Sequence, residues 1–207
     1  MTTSTDTTIA SLVLEVTDVA AAEAFYTALG VTDRIEVRAT ETPTSGFRGY
    51  TLSLVVSQPA NADAFLNAAI DAGATVLKPA KKSFWGYGGV VQAPDGAIWK
   101  VATSSKKDTA PAAMEYDDLV LLLGVDDVKA TKQFYVDQGL KVGKSFGSKY
   151  VEFEAPAGAV KLALYTRRAA AKDAGVDPEG SGSHRIAVLG DGGEFTDPDG
   201  FAWERRR

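Results

Sequence analysis

The feature that most constrains this chain is a hairpin it writes twice. The stretch Trp85-Gly86-Tyr87-Gly88-Gly89-Val90-Val91-Gln92-Ala93-Pro94-Asp95-Gly96-Ala97-Ile98-Trp99-Lys100-Val101-Ala102 reads as two strands about a tight turn, and Gly193-Glu194-Phe195-Thr196-Asp197-Pro198-Asp199-Gly200-Phe201-Ala202-Trp203-Glu204-Arg205 repeats its turn and return strand. In each, Pro presets φ for the first turn position, Asp tolerates the second, and Gly takes the left-handed residue that sends the chain back. Each turn glycine is followed three residues later by Trp, so the pair reads as a duplication. Side chains alternate faces along a strand, which sets Trp99 against Lys100 and Trp203 against Glu204. A sheet with helices on one side buries the tryptophans there and leaves Lys100 and Glu204 to the other face.

Ahead of the first hairpin, Ile9 to Val16 is apolar enough for a buried strand. Asp18 then caps a helix to Leu29, with Ala22, Phe25, Tyr26 and Leu29 on one face and Gly30 as its stop. Strands are predicted over 31–39 and 49–57, a helix from Pro59 to the stop at Gly73, and a short strand over 75–78. Residues 104–115, polar and poor in large apolar side chains, form a linker. The second half opens alike: a strand at 119–125, a helix over 127–138 with Phe134 and Tyr135 inward, and strands at 141–146, 150–154 and 160–165. Residues 172–183, rich in Gly, Asp and Pro, read as a long connector or lid. After the strand at 184–189 the chain runs straight to its last hairpin with no helix between.

These two halves resemble the glyoxalase/bleomycin-resistance/extradiol-dioxygenase superfamily, the vicinal oxygen chelate proteins. The resemblance rests on Trp-Gly-Tyr-Gly-Gly with Pro-Asp-Gly in the first hairpin. It also rests on the opening Leu12-Val13-Leu14-Glu15-Val16-Thr17-Asp18 with Ala24-Phe25-Tyr26 and Leu29-Gly30, and on its recurrence as Leu119 to Asp127 with Phe134-Tyr135 and Gly139-Leu140. It implies an α+β fold of tandem βαβββ-type modules, whose curved mixed sheets enclose a cavity with helices on the outer face. The implied layout is a disordered start at 1–8, a first repeat at 9–103, the linker at 104–115, and a second repeat at 116–207 without its second helix. Each repeat is compressed at a different place, so the two are expected to pack as one body.

The resemblance also places the chemistry. The family's metal-ligating glutamate corresponds to Lys100 and Glu204, and its ligating histidine to His184, the only histidine in the chain. By the same matching, Ser11 and Val120 stand where histidine is usual, Thr51 matches His184, and Ala163 stands where glutamate is expected. A catalytic divalent ion takes about three protein ligands plus water. The expectation is therefore no metal and no cofactor, with a divalent ion between His184 and Glu204 as the alternative. His184 and Glu204 are the candidate catalytic pair, facing each other across the cup. Trp85, Tyr87, Lys100 and Tyr165 are the candidate ligand-binding residues.

Composition narrows the partners. A net charge of -5 lacks the basic face a phosphate backbone needs, so no nucleic acid is expected. With no cysteine, disulfides and thiolate nucleophiles are excluded. Neither a signal-like start nor a run of about 18 apolar residues is present, so no membrane partner is expected and the cytoplasm is the expected address. The resemblance implies a small organic molecule as the partner, and a monomer or a homodimer is expected. Two functions follow: a glyoxalase-like small-molecule-binding protein without a complete metal site, sequestering a drug or metabolite, or a lyase, isomerase or dioxygenase using His184 and Glu204. An acidic protein with aromatic walls suits a cationic, planar ligand.

Overall fold

The computed structural model describes residues 7–206. Most of the start expected to be disordered lies outside them; Thr7 and Thr8 are tied in place, Thr8 donating to the Asp191 carboxylate from both its backbone N–H and its hydroxyl. In chain order the elements are β1 Ile9–Val16, α1 Val19–Leu29, β2 Ile35–Ala39, β3 Thr44–Gly46, β4 Tyr50–Val55, α2 Pro59–Asp71, β5 Thr75–Ser83, β6 Gly86–Gln92 and β7 Ile98–Thr103. They continue with β8 Asp118–Val125, α3 Val128–Asp137, β9 Val142–Ser145, β10 Tyr150–Phe153, β11 Lys161–Thr166, α4 Arg167–Ala174, β12 Gly180–Gly182, β13 Ile186–Gly190, β14 Phe195–Thr196 and β15 Ala202–Arg205.

The helices begin and end where the side chains dictate. The Asp18 carboxylate accepts from Ala21 N–H, the Asp127 carboxylate from Lys129 and Ala130 N–H, and Gly30 takes the left-handed conformation that closes α1. Pro59 opens α2 at a position whose N–H has no helical partner. The linker is pinned through Gln58, whose buried side chain donates to the Ala110 and Pro111 carbonyls and accepts from Thr109 and Ala110 N–H.

Strand pairing sorts the chain into two sheets. An eight-stranded sheet runs β5-β6-β7-β4-β8-β11-β10-β9. It joins two complete βαβββ modules, β4 to β7 and β8 to β11, through the antiparallel pair β4 and β8 with Leu52 opposite Leu121. A five-stranded sheet runs β14-β15-β13-β1-β2 and joins the two ends of the chain, Leu12 opposite Val188. Its modules are cut short. β2 pairs parallel to β1 with no strand between them, as β15 does to β13, and Asp191–Glu194 stand where a helix would. Each half of the sequence thus gives one whole module to the larger sheet and one shortened module to the smaller. The missing central strands leave only β3 and β12, which pair with each other.

Helices α1, α2 and α3 lie on the sheet faces that share a single core, which takes in Leu12, Leu14 and Val188 of the smaller sheet with Leu52, Leu121 and Leu164 of the larger. Trp99 and Trp203 sit in it, both almost fully buried, and each buried side chain of that size contributes on the order of 2–3 kcal/mol. Alternation then puts Lys100 and Glu204 on the opposite faces, called here the inner faces.

Candidate functional site

On the eight-stranded sheet the inner face carries Ser53 and Val55 from β4, Lys100 and Ala102 from β7, Val120 and Leu122 from β8, Tyr150 and Glu152 from β10, and Ala163 and Tyr165 from β11. Part of this face is covered by α4, a helix the sequence reading did not anticipate. Ala170, Ala171 and Ala174 pack on Leu122, Ala163, Val90 and Ile98, small side chains that let the helix lie close to the sheet. Thr166 caps its start by accepting from Ala169 N–H, and Gly175 ends it in the left-handed region. At its far end Lys78 Nζ donates to the Lys172 and Asp173 carbonyls at 2.7 and 2.6 Å, a cation on the negative end of the helix dipole.

Lys100 reaches this helix and forms an ion pair with Asp173, Nζ to Oδ2 2.7 Å. The bridge separates two clefts. One, of 260 Å³, lies over Ser53, Tyr150, Glu152 and Tyr165; the other, of 310 Å³, runs along β6 past Gly88 to Trp85. Within the first, the Tyr150 and Tyr165 rings meet edge to face at 5.0 Å, and the Tyr150 hydroxyl donates to Glu152 at 2.8 Å. Burial, and then that hydrogen bond, push the Tyr150 phenol above its ordinary range, so it stands as a neutral donor.

The candidate ligand residues therefore separate. Lys100 and Tyr165 share the inner face, Trp85 stands at the outer mouth with 82% of its surface exposed, and Tyr87 points elsewhere. Its hydroxyl crosses to the helix side and donates to Asp63 of α2 at 2.6 Å, which pushes the phenol up to about 12.

His184 and Glu204 do not meet. Glu204 lies opposite Leu189 in the β13–β15 register and is held by Arg38, whereas His184 precedes β13 and packs on the last turn at Phe201. The His184 ring is a staple: Nδ1 lies 2.6 Å from the Arg48 carbonyl, Nε2 3.0 Å from the Asp199 carbonyl, and the ring stacks on Phe201 at 4.0 Å. It fastens the last turn to the segment entering β4. Arg185 next to it takes a left-handed φ of 54° and donates to the Thr42 carbonyl.

Glu204 sits on the inner face of the five-stranded sheet, in an open hollow of 580 Å³. Arg38 grips it with two hydrogen bonds, 2.9 and 2.7 Å, and approaches Glu15 at 3.5 Å. The pairing with Glu204 raises the guanidinium above its already high value. Beside it Ser11 donates to Glu36 at 2.8 Å.

The ligand set of the resembling family does not fit this chain. Val120 and Ala163 have no donor atom, Ser11 is engaged with Glu36, Lys100 brings positive charge, and among the described residues no group of three or more His, Asp or Glu comes together as an ion site. Arg38, Glu152 and Asp173 were not singled out from the sequence. The helix that carries Asp173 was legible: Thr166 as a cap, three alanines at 169–171 and Gly175 as the stop.

Two chain halves built from βαβββ modules and paired crosswise into inner-faced sheets define the glyoxalase fold. Glyoxalase I from Zea mays superposes with a TM-score of 0.60 at 12% identity, over 96% of this chain and 91% of that one. A candidate dioxygenase from Bacillus subtilis superposes at 0.54 and 14% identity, over 89% and 71%. No protein-family model and no curated protein matches the sequence. The chain has the fold of the vicinal oxygen chelate proteins, and among the described residues no helix is long and apolar enough to cross a membrane.

Proposed function

We propose that this protein binds a small organic molecule on the inner face of its eight-stranded sheet and sequesters it without a metal site of the family type. The observation that carries this reading is the pair of clefts meeting at the Lys100–Asp173 bridge, with aromatic and charged groups converging on otherwise apolar walls. Each cleft is at or below the small end of ligand pockets, about 300–1,000 Å³, and opening the bridge joins them into one site within that range. Tyr150, Tyr165, Glu152 and Asp173 suit a planar cation that replaces Lys144 and Lys100 as partner of the two carboxylates, with the ring faces adding attraction.

Trp85 reports on the site, since Trp99 and Trp203 are buried. Planar cationic and neutral aromatic compounds titrated against tryptophan emission should give saturable quenching by the cations that disappears in Trp85→Phe and weakens about tenfold or more in Glu152→Gln. Quenching that is linear in every compound, or indifferent to Glu152, refutes the reading. The enzyme alternative retains one argument, the charged hollow around Glu204. Glu204→Gln would abolish turnover of a glyoxalase, lyase or dioxygenase substrate under that alternative, and leaves binding at the Lys100 clefts intact under the reading preferred here.

A further inference from the structure

The turn between β5 and β6 presents Phe84 and Trp85 to solvent, 80% and 82% exposed, with their rings edge to face at 5.0 Å. The turn is built to hold them there. Ser83 Oγ accepts from Trp85 N–H, and Gly86, at φ 136° against the Thr103 carbonyl, occupies a place no side chain fits. Such an apolar tip costs solubility, and beyond the rim of the 310 Å³ cleft and the Lys106 side chain it packs on little of this chain.

Around it the charge departs from the acidic whole. Lys81 and Lys82 lead into the turn, and the segment after β7 brings Lys106 and Lys107 alongside, with Lys106 Nζ 5.6 Å from the Phe84 ring centre. All four are exposed, and none is in an ion pair among the described residues. Asp63 and Asp108 are held by neutral donors, the Tyr87 hydroxyl and Ala60 N–H, so against the four lysines they leave a local excess of positive charge. The protein of net charge -5 therefore ends, at this corner, in two aromatic rings with Lys106 over one of them, Lys81 and Lys82 in the strand that leads into the turn, and Lys107 next to Lys106 in sequence.

We propose that the β5–β6 turn docks on an anionic lipid surface, Phe84 and Trp85 entering the interface and Lys81, Lys82, Lys106 and Lys107 meeting the headgroup charge. The chemistry matches point by point. Trp and Phe favour the boundary between headgroups and acyl chains, each lysine adds attraction to an anionic leaflet, and a convex tip inserts into a fluid surface where a stacked base would need a flat or grooved platform. The acidic remainder is repelled by the same surface, which fixes the protein tip-down. The 310 Å³ cleft lined by Trp85 then opens at the lipid boundary.

The test is co-sedimentation with vesicles of phosphatidylcholine alone and of phosphatidylcholine with phosphatidylserine, at low and high salt, with tryptophan emission recorded. Expected are binding to the serine-containing vesicles only, a blue shift from Trp85, loss at high salt, and a fall of about tenfold or more in partitioning for both Phe84→Ser/Trp85→Ser and Lys81→Glu/Lys82→Glu. These residues are on the surface, and circular dichroism of each variant confirms its folding. Equal partitioning of wild type to both vesicle types overturns the proposal, as does binding that survives loss of the aromatic tip. Concentration-dependent burial of Trp85 without lipid also overturns it, since the tip is then covered by a second copy.

Discussion

The Tyr135 hydroxyl donates to Asp197 Oδ2 at 2.7 Å, a contact between α3 of the larger sheet and the last turn of the smaller. The equivalent tyrosine, Tyr26 of α1, donates to Asp95 inside the first Pro-Asp-Gly turn at 2.5 Å, two positions further along the turn than Asp197, which precedes its proline. Each tyrosine ring also tilts against the tryptophan that follows its turn, 5.8 Å from Tyr26 to Trp99 and 5.6 Å from Tyr135 to Trp203. A tyrosine-to-turn-carboxylate contact, made to a different turn position in each, thus fastens each half's whole module to its shortened one. Because the sheets pair crosswise between halves, these two contacts are where the sheets lock together.

Asp197 carries more than the tyrosine. Its other oxygen accepts from the N–H groups of Asp199 and Phe201, so truncation strands three donors in a buried turn. Asp197→Ala is expected to cost about 3 kcal/mol, roughly 6–12 °C in Tm for a chain of this size, measured by calorimetry. A loss under about 1 kcal/mol would mean that water reaches the turn and replaces the carboxylate.

The same carboxylate sets a pH dependence. Burial raises its pKa above the usual carboxylate range, with the hydrogen bonds from Tyr135 and Phe201 opposing but not cancelling the effect. The folded state therefore holds the proton more tightly than the unfolded chain, whose value is about 3.9, and acidification relieves the cost of the buried charge. Relative to Asp197→Asn, wild type should gain stability as pH falls from neutral towards about 4. A stability difference that stays flat over that window, by denaturant titration, would contradict the raised value.

Much of this was legible in the sequence because strand alternation and turn chemistry are local. The duplicated Pro-Asp-Gly turn, the burial of Trp99 and Trp203 and the caps Asp18 and Asp127 follow from neighbours in the chain. Which strand pairs with which does not. The matching that set His184 across from Glu204 put the histidine within the strand next to the last one, whereas His184 lies before β13 and spends both ring nitrogens on backbone carbonyls. Asp173 was equally out of reach, since its role depends on a helix crossing to Lys100, 73 residues away in sequence.

Tyr87 offers a spectroscopic check on its assignment to the helix side. The hydrogen bond to Asp63, followed by burial, pushes its phenol from 10.0 up to about 12. A raised folded value means that the neutral phenol stabilises the fold fully below about pH 10, and the contribution fades as pH climbs towards 12. The difference between ultraviolet titrations of wild type and Tyr87→Phe should show a tyrosine ionising near 12. One that ionises near its ordinary value would place the hydroxyl away from Asp63.

The Arg38–Glu204 pair is bidentate but open to water, the side chains 42% and 38% exposed. Exposed pairs contribute little, so Arg38→Gln should change stability by less than about 1 kcal/mol, and by less still at high salt. A larger loss would show that the hollow on the five-stranded sheet is built around this arginine.

The covering helix α4 provides the sharpest test of how the inner face is assembled. It approaches β8 at Gly124, where an added Cβ would lie 3.0 Å from the Arg167 Cα, 3.1 Å from the Ala170 Cβ and 3.2 Å from the Gly49 carbonyl oxygen. Two of these neighbours are backbone atoms that cannot turn aside, and a branched side chain adds volume beyond the Cβ. Gly124→Val should therefore lift the helix off the sheet, at about 1–3 kcal/mol of global stability. Lys78 and Asp173 lose their alignment as α4 moves, so the displacement should spread along its length. In hydrogen exchange, amides of 167–174 should lose protection while those of β4 and β8 keep theirs, since the strand ladder remains intact. Unchanged protection in α4 would show that the inner face tolerates the extra volume, and that the helix is held by the sheet less closely than its three alanines imply.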